Sequence, residues 1–150
     1  MFDTYNTMSF PVYSEVNARK NILLLGTSKG LEIIDIDSIL RIEAISNYSR
    51  LYFTNGKSLV VAKVLSWFEE KLAHRRFIRL HRSHLVNMQY IRAYNAQNCS
   101  EVVLVNDERL TVSRRKRIEF KKAIYQFYSG TAATSRSGGA RPVVSIPKAA

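Results

Sequence analysis

The 150-residue sequence has few of the residues that several common classes of protein require. Cys99 is its one cysteine, which excludes an internal disulfide and a metal site built from several cysteines. Only 12 residues are Asp or Glu, and they are not spaced as metal ligands or as an acid and base pair. No apolar run approaches the roughly 18 residues of a membrane-spanning helix, and the N-terminus lacks a signal pattern. We therefore expect a cytoplasmic protein without membrane insertion.

Positive charge is what the sequence has in excess. Its 23 Lys and Arg residues give a formal net charge of +11, and its pI is about 10.0. Such a balance predicts attraction to polyanions, with nucleic acid as the leading candidate and an anionic membrane surface as the second. The apolar content of 46% is enough for one globular domain.

The two ends of the chain differ from its middle. Residues 1–20 show neither strand alternation nor a helical period, and we treat them as a leader of uncertain order. Residues 129–150 are small, polar and interrupted by Gly and Pro, so we expect a disordered tail. The folded domain is expected at residues 21–128.

Short strand patterns separated by turn residues dominate this middle region. Asn55-Gly56 predicts a two-residue hairpin turn, because both residues tolerate positive φ angles. Asn106-Asp107 predicts another turn. The expected strands are Ile22–Thr27, Leu31–Ile34, Leu40–Ala44, Arg50–Thr54, Lys57–Ala62, Ile91–Asn95, Glu101–Val105 and Leu110–Val112.

Two helices complete the expected fold, which is mainly β. Apolar residues with helical spacing predict one short internal helix: Val61, Leu65, Phe68 and Leu72. A C-terminal helix is predicted by Phe120, Ile124 and Phe127, with Ser113 as its N-cap. The helix dipole disfavours cations in the first turn of a helix, yet this turn would contain four of them: Arg114, Arg115, Lys116 and Arg117. Their presence is explained if a phosphate also binds there.

Charge is also segregated along the chain. Residues 75–92 contain five arginines and no acid, within the stretch that includes FIRLHRSHLVNMQYI, and residues 109–122 contain seven cations against Glu119. A basic run alone is commonly a solvated surface. Two such runs interleaved with packing residues favour nucleic acid as the partner.

Three segments resemble successive signatures of the LytTR DNA-binding domain: RIEAISNYSRLYFTNGKSLVV, RFIRLHRSHLVNMQYI and DERLTVSRRKRIEF. The resemblance extends over about Ile22 to Phe127. It implies short antiparallel sheets of the LytTR type with small helices, in an output domain of bacterial transcription regulators, including response regulators. It also implies that loops, and no recognition helix, read the major groove of double-stranded DNA.

The resemblance further implies the residues that contact DNA, on three loops that should form one DNA-facing edge. Arg79, in an alternating strand, is alternatively a cation on a sheet face. The sequence departs from the family pattern at Ser46, where Gly is frequent, and at His84, where an aromatic residue is frequent. The expected contacts are Asn47, Tyr48, Ser49, Arg50, Arg79, His81, Arg82, Ser83, Ser113, Arg114, Arg115, Lys116 and Arg117.

Two other classes of function are alternatives to a sequence-specific regulator. A nonspecific nucleic-acid-binding protein would show stacking aromatic residues, for which Tyr48 and Tyr52 are the candidates. A metal-dependent nuclease needs acidic ligands, and His81 with His84 lacks a third ligand nearby. Glu43 has no acid, His or nucleophile to act with. We therefore expect no enzyme activity, no metal and no cofactor.

Regulation is left open by the sequence. The leader is too short for a phosphoacceptor receiver domain, so control is expected from expression level, a regulatory protein, self-association, or a contact of leader or tail. Besides double-stranded DNA, the candidate partners are such a regulatory protein and a second copy of the chain on a two-part DNA site.

Overall fold

The structure is a computed structural model that describes residues 15–17, 21–134 and 144–145. The chain divides into two compact units, residues 1–72 and 73–150. The boundary between the units lies inside the region 21–128 that was expected as the folded domain.

The first unit begins with three antiparallel strands, β1 (Glu15–Asn17), β2 (Ile22–Thr27) and β3 (Gly30–Asp35). Alternating apolar side chains of β2 and β3 are buried, as expected for a sheet with one face in the core: Leu23, Leu25 and Ile34. Gly30 has a φ of 121° where the turn enters β3, a conformation that glycine adopts readily.

A 3₁₀ turn (Ile36–Ser38) leads into an antiparallel meander of β4 (Ile39–Ile45), β5 (Tyr48–Phe53) and β6 (Ser58–Val61). The helix α1 (Leu65–Lys71) follows. The predicted apolar stripe is buried at Leu65, Phe68 and Leu72, but Val61 belongs to β6. A helical spacing can continue by chance into the preceding strand, so the start of α1 was placed too early.

The turn at Asn55-Gly56 differs from the predicted two-residue turn. The N–H of Phe53 donates to the Lys57 carbonyl at 2.9 Å, and the N–H of Gly56 donates to the Phe53 carbonyl at 3.0 Å. Gly56 has a φ of 88°, whereas Asn55 is not in the positive-φ region. These contacts define a three-residue loop with glycine at its left-handed position.

The second unit contains β7 (Phe77–His81), β8 (His84–Asn87), a 3₁₀ turn (Met88–Tyr90), β9 (Ile91–Tyr94), β10 (Glu101–Leu104) and β11 (Arg109–Thr111). The hairpin β7–β8 is antiparallel, as are the neighbours β9, β10 and β11. A 3₁₀ turn (Arg114–Lys116) precedes the helix α2 (Arg117–Thr134). The short strand β12 (Val144–Ser145) runs parallel to β9.

Helix α2 packs on the second unit through the predicted apolar face. Phe120 and Ile124 are buried, and the Phe120 ring makes an edge contact with Tyr94 at a centroid distance of 5.6 Å. The helix continues through Ser129 to Thr134, which is past the predicted start of the tail. The remaining tail positions, apart from β12, and the leader, apart from β1, lie outside the described residues.

The predicted fold class is confirmed: the described chain is mainly antiparallel strands with two α-helices. Among the described residues, neither helix combines the length and the apolar content needed to cross a membrane.

Candidate nucleic-acid interface

The hairpin β7–β8 presents the His-Arg-Ser motif at its turn. Arg82 and Ser83 connect the two strands, and His81 lies opposite His84. The pairing register shifts between Arg79 and His81, so Leu80 occupies a β-bulge. Bulges bend a strand and redirect its side chains, and they occur frequently beside functional sites.

Two side chains of β7 hold this turn. The Arg79 guanidinium donates from Nε to the His81 carbonyl at 2.9 Å and from Nη2 to the Arg82 carbonyl at 2.7 Å. The Nδ1 atom of His81 accepts a hydrogen bond from the Ser83 N–H at 3.2 Å. The Arg82 side chain is exposed. The turn backbone is therefore fixed while the arginine that it carries faces solvent.

The second basic segment is joined to the same hairpin. The Ser113 N–H donates to the carbonyl of Leu80, at an N···O distance of 2.8 Å. Ser113 is the N-cap of the 3₁₀ turn Arg114–Lys116, but its hydroxyl makes no capping hydrogen bond. The prediction that Ser113 caps the α-helix was wrong. Of the four cations expected in the first turn of the C-terminal helix, Arg114, Arg115 and Lys116 lie in this 3₁₀ turn, and Arg117 is the first residue of α2.

Both segments line one cleft of the second unit, with a volume of about 620 Å³. Arg82, Arg114 and Arg115 are exposed there. Glu119 is the acid of the lining, and its Oε1 lies 3.3 Å from the Lys116 Nζ. The lining is otherwise polar or cationic and suits an anion with several phosphates: Arg79, His81, Arg82, Ser113, Arg114, Arg115 and Lys116.

Other cations of the two basic runs have different surroundings. Arg117 is half-buried, and its Nε donates to the Val112 carbonyl at 3.2 Å. Arg92 pairs with Asp107 at 2.7 Å, and Arg109 pairs with Glu101 at 3.1 Å. The charge runs seen in the sequence are therefore divided in the fold between the cleft, ion pairs and backbone contacts.

The predicted contacts in the first unit lie on the hairpin β4–β5. Ser46 and Asn47 form its turn, and Ser46 has a φ of 55°, which explains why glycine suits this position. Asn47 is exposed and Tyr48 is half-exposed, whereas Arg50 is less accessible. Ser49 is fully buried, and its hydroxyl donates to the Lys63 carbonyl at 2.7 Å. Ser49 is thus a structural residue, and the expectation that it contacts DNA was wrong because its side chain is inaccessible.

Sequence reasoning missed a buried cation within this hairpin. Arg41 is 6% exposed, and its guanidinium lies 3.9 Å from the centre of the Tyr52 ring. Glu43 accepts a hydrogen bond from the Tyr52 hydroxyl at 2.9 Å and lies 3.4 Å from Arg41. The carboxylate therefore compensates a buried guanidinium. The strand pairing of Arg41 with Tyr52 could have indicated this contact once the register was known.

No metal site is formed within the part of the chain that the structure describes, since no three His, Cys, Asp or Glu residues cluster there. The rings of His81 and His84 lie 5.6 Å apart, centre to centre. Burial raises the pKa of the Cys99 thiol above its ordinary value of 9.0, although Lys121 and Arg117 oppose this shift. Cys99 is therefore a protonated packing residue at neutral pH.

Residues 29–125 match the LytTr DNA-binding domain family. The chain belongs to this family. A solved LytTr DNA-binding domain from Bacillus cereus is similar to it with a TM-score of 0.58 and 26% sequence identity. That similarity covers 69% of this chain and 95% of the solved one.

The chain is also 27% identical over 82 residues to the CO-responsive transcriptional regulator RcoM of Rhodospirillum rubrum. The match covers 55% of this chain and 34% of RcoM, so the chain spans about a third of the length of this curated relative. LytTR domains are typical outputs of response regulators, and membership of the family supports DNA binding and transcription regulation. The predicted family is confirmed.

Proposed function

We propose that this LytTR protein is a transcription regulator that recognises a specific sequence in double-stranded DNA by placing loops in the major groove. The observation that carries the proposal is the convergence of Arg82, Arg114 and Arg115 in one cleft of the second unit. Regulation of bacterial transcription takes place in the cytoplasm, and we propose that location for this protein. It acts by binding and has no catalytic step.

The residues of the cleft are proposed to have two roles, recognition of base edges and contact with phosphates. An exposed arginine can donate two hydrogen bonds to N7 and O6 of one guanine, which discriminates against other bases by roughly 1–3 kcal/mol. Arg82 and Arg114 are the side chains proposed for this role. Lys116 is proposed to contact phosphate, and such contacts position the protein without carrying sequence information.

The shape of the hairpin β7–β8 fits this proposal. The major groove of B-DNA exposes the base edges, and the exposed Arg82 lies at the tip of this hairpin, where its side chain can reach them. Asn47 of the first unit is also exposed at a hairpin turn, and an asparagine amide can pair with N6 and N7 of adenine. We include Asn47, Tyr48 and Arg50 in the proposed contacts.

A binding-site selection from random duplexes tests the proposal. Kd is then measured for the selected and a scrambled duplex over a range of salt concentrations. We expect the selected duplex to bind at least about 10³-fold more tightly. The plot of log K against log salt should have a slope of several units if about 5–8 phosphates are neutralised.

Point variants then assign the roles. Arg82→Ala should weaken binding to the selected duplex by about 10- to 100-fold and change binding to the scrambled duplex much less. Lys116→Ala should weaken both equally and reduce the salt slope by about one unit. Lys122→Ala is the matched control, because Lys122 is exposed on α2 and does not line the cleft. Equal losses for Arg82→Ala on both duplexes would make Arg82 a phosphate contact.

A selection that enriches no sequence would favour the nonspecific nucleic-acid-binding alternative. The stoichiometry of the complex on the selected duplex also tests whether a second copy binds a two-part site. A regulatory protein is also a proposed partner. Binding of such a protein can be assayed on the complex of this chain with the selected duplex.

A further inference from the structure

We propose that Arg79 is a positioning residue, whose guanidinium fixes the Arg82–Ser83 turn so that Arg82 is presented to DNA in one conformation. This inference rests on the proposed function, because it concerns how the same cleft achieves recognition. It changes the role of Arg79 from the direct DNA contact expected from the sequence.

Two hydrogen bonds of Arg79 are directed into its own hairpin. Nε and Nη2 reach the carbonyls of two consecutive residues, His81 and Arg82, at 2.9 and 2.7 Å. A guanidinium presents its donors in a rigid planar fork, so it can bond both carbonyls at once. A lysine ammonium is a single centre on a flexible stem and lacks this geometry.

The turn needs such support because its backbone conformation is not one of the favoured hairpin types. Two-residue hairpin turns usually have positive φ at one or both central residues, which matches the strand twist. Arg82 and Ser83 are both outside the positive-φ region. The bulge at Leu80 and the hydrogen bonds from Arg79 and to His81 Nδ1 accommodate this turn instead.

An ordered turn has a direct effect on affinity. Binding that must first order a loop loses affinity, whereas a loop that is already ordered avoids this cost. Arg79 therefore affects binding through Arg82. It follows that replacing Arg79 is costly only when Arg82 is present.

The test uses the full chain and two measurements on Arg79→Lys, with Arg92→Lys as the matched control. Arg92 is an exposed arginine paired with Asp107, away from the cleft. The first measurement is the NMR order parameter of the Arg82 and Ser83 amides without DNA. In Arg79→Lys we expect these values to fall from about 0.85 toward about 0.6, with Leu85 and Val86 unchanged. Unchanged strand amides also show that the variant is folded.

The second measurement is Kd for the selected duplex in a double-mutant cycle. Arg79→Lys should weaken binding about tenfold with Arg82 present and less than about twofold in the Arg82→Ala background. The salt slope should stay the same, because the charge is retained.

The outcomes separate the possible failures. If Arg79→Lys keeps both turn order and affinity, or if its effect adds fully to that of Arg82→Ala, the positioning role is overturned. The same holds if the turn loosens while affinity is unchanged. If the wild type shows no preference for any duplex, the proposed function fails, and the NMR measurement still decides whether Arg79 orders the turn.

Discussion

The backbone N–H of Ser113 lies 2.8 Å from the carbonyl oxygen of Leu80, to which it donates a hydrogen bond. Leu80 is fully buried in the bulge of β7, and Ser113 immediately precedes the basic 3₁₀ turn. One backbone contact thus joins the two segments that line the cleft. A rigid scaffold of this kind holds exposed side chains at fixed separations, which recognition of base edges requires.

This contact can be removed by a single substitution. Ser113 has a φ of −64°, which proline adopts, so Ser113→Pro removes the N–H donor without a change in that angle. We expect it to lower the free energy of unfolding by about 1 kcal/mol, the typical net value of a hydrogen bond. Binding to the selected duplex should weaken as the segments lose their fixed spacing. Urea denaturation followed by circular dichroism, together with Kd, provides the measurement.

Ser113→Ala is the control for this prediction. It retains the N–H, and the hydroxyl that it removes makes no capping bond, so stability should change by less than about 0.5 kcal/mol. Equal destabilisation by the two variants would show that the hydroxyl, and not the link to Leu80, matters.

Ser46→Gly should stabilise the protein. The left-handed φ of 55° costs a residue with a Cβ about 1–2 kcal/mol, and part of this gain is lost because glycine is more flexible when unfolded. The expected net increase in the free energy of unfolding is about 0.5 kcal/mol. Urea unfolding followed by the fluorescence of Trp67 measures this increase. Trp67 is the sole tryptophan, and it lies in the first unit together with Ser46. Ser46→Ala keeps the Cβ and should bring no gain; a lower midpoint for the glycine variant would contradict the argument.

Glu119→Gln should strengthen DNA binding without regard to sequence. Glu119 adds negative charge to the cationic cleft and pairs with Lys116 at 3.3 Å. Replacing the carboxylate removes its repulsion of phosphate and frees Lys116 from the ion pair. We expect DNA affinity to rise about two- to fivefold at moderate salt. Kd for the selected and scrambled duplexes should fall by the same factor. Glu70→Gln, at an exposed position of α1, should leave both unchanged. A loss confined to the selected duplex would instead assign Glu119 a base contact.

The stability contributed by Cys99 should decline at high pH. Burial raises the pKa of the folded thiol above 9.0, so the thiol stays protonated in the folded state after it ionises in the unfolded state. The difference in free energy of unfolding between wild type and Cys99→Ala should therefore be constant below about pH 8. The free energy of unfolding of the wild type should fall relative to that of the variant as pH rises through 9. Urea midpoints of both proteins from pH 7 to about pH 10 measure this difference. A wild-type advantage that grows above pH 9 would contradict the burial effect.

The pH effect of Tyr128 does not interfere with this comparison. Burial also raises the pKa of its hydroxyl, and this contribution is present in both proteins. It therefore cancels in the difference between wild type and variant.

The sequence alone determined the order and type of eight strands and both helices, because strand alternation, turn residues and helical spacing are local properties. The strands β1, β7, β8 and β12 were not among those expected. The sequence also located turns correctly at Asn55-Gly56 and Asn106-Asp107. The loop length at Asn55-Gly56 depended on which hydrogen bonds close the hairpin. The same three-residue pattern recurs at Asp107, whose φ is 69° and whose N–H donates to the Leu104 carbonyl at 2.9 Å.

The sequence also indicated the family and a polyanion as partner, because net charge and ordered motifs can be read without coordinates. Only the tertiary structure decided what each basic residue does. Side chains of one type differ in role according to the groups that the fold brings near them: Arg82 is exposed, Arg79 bonds turn carbonyls, Arg117 bonds Val112, Arg92 meets Asp107 and Arg41 is buried against Tyr52. Those neighbours depend on strand pairing, on a bulge in register or on the path of the chain into α2, and no local pattern of residues specifies them.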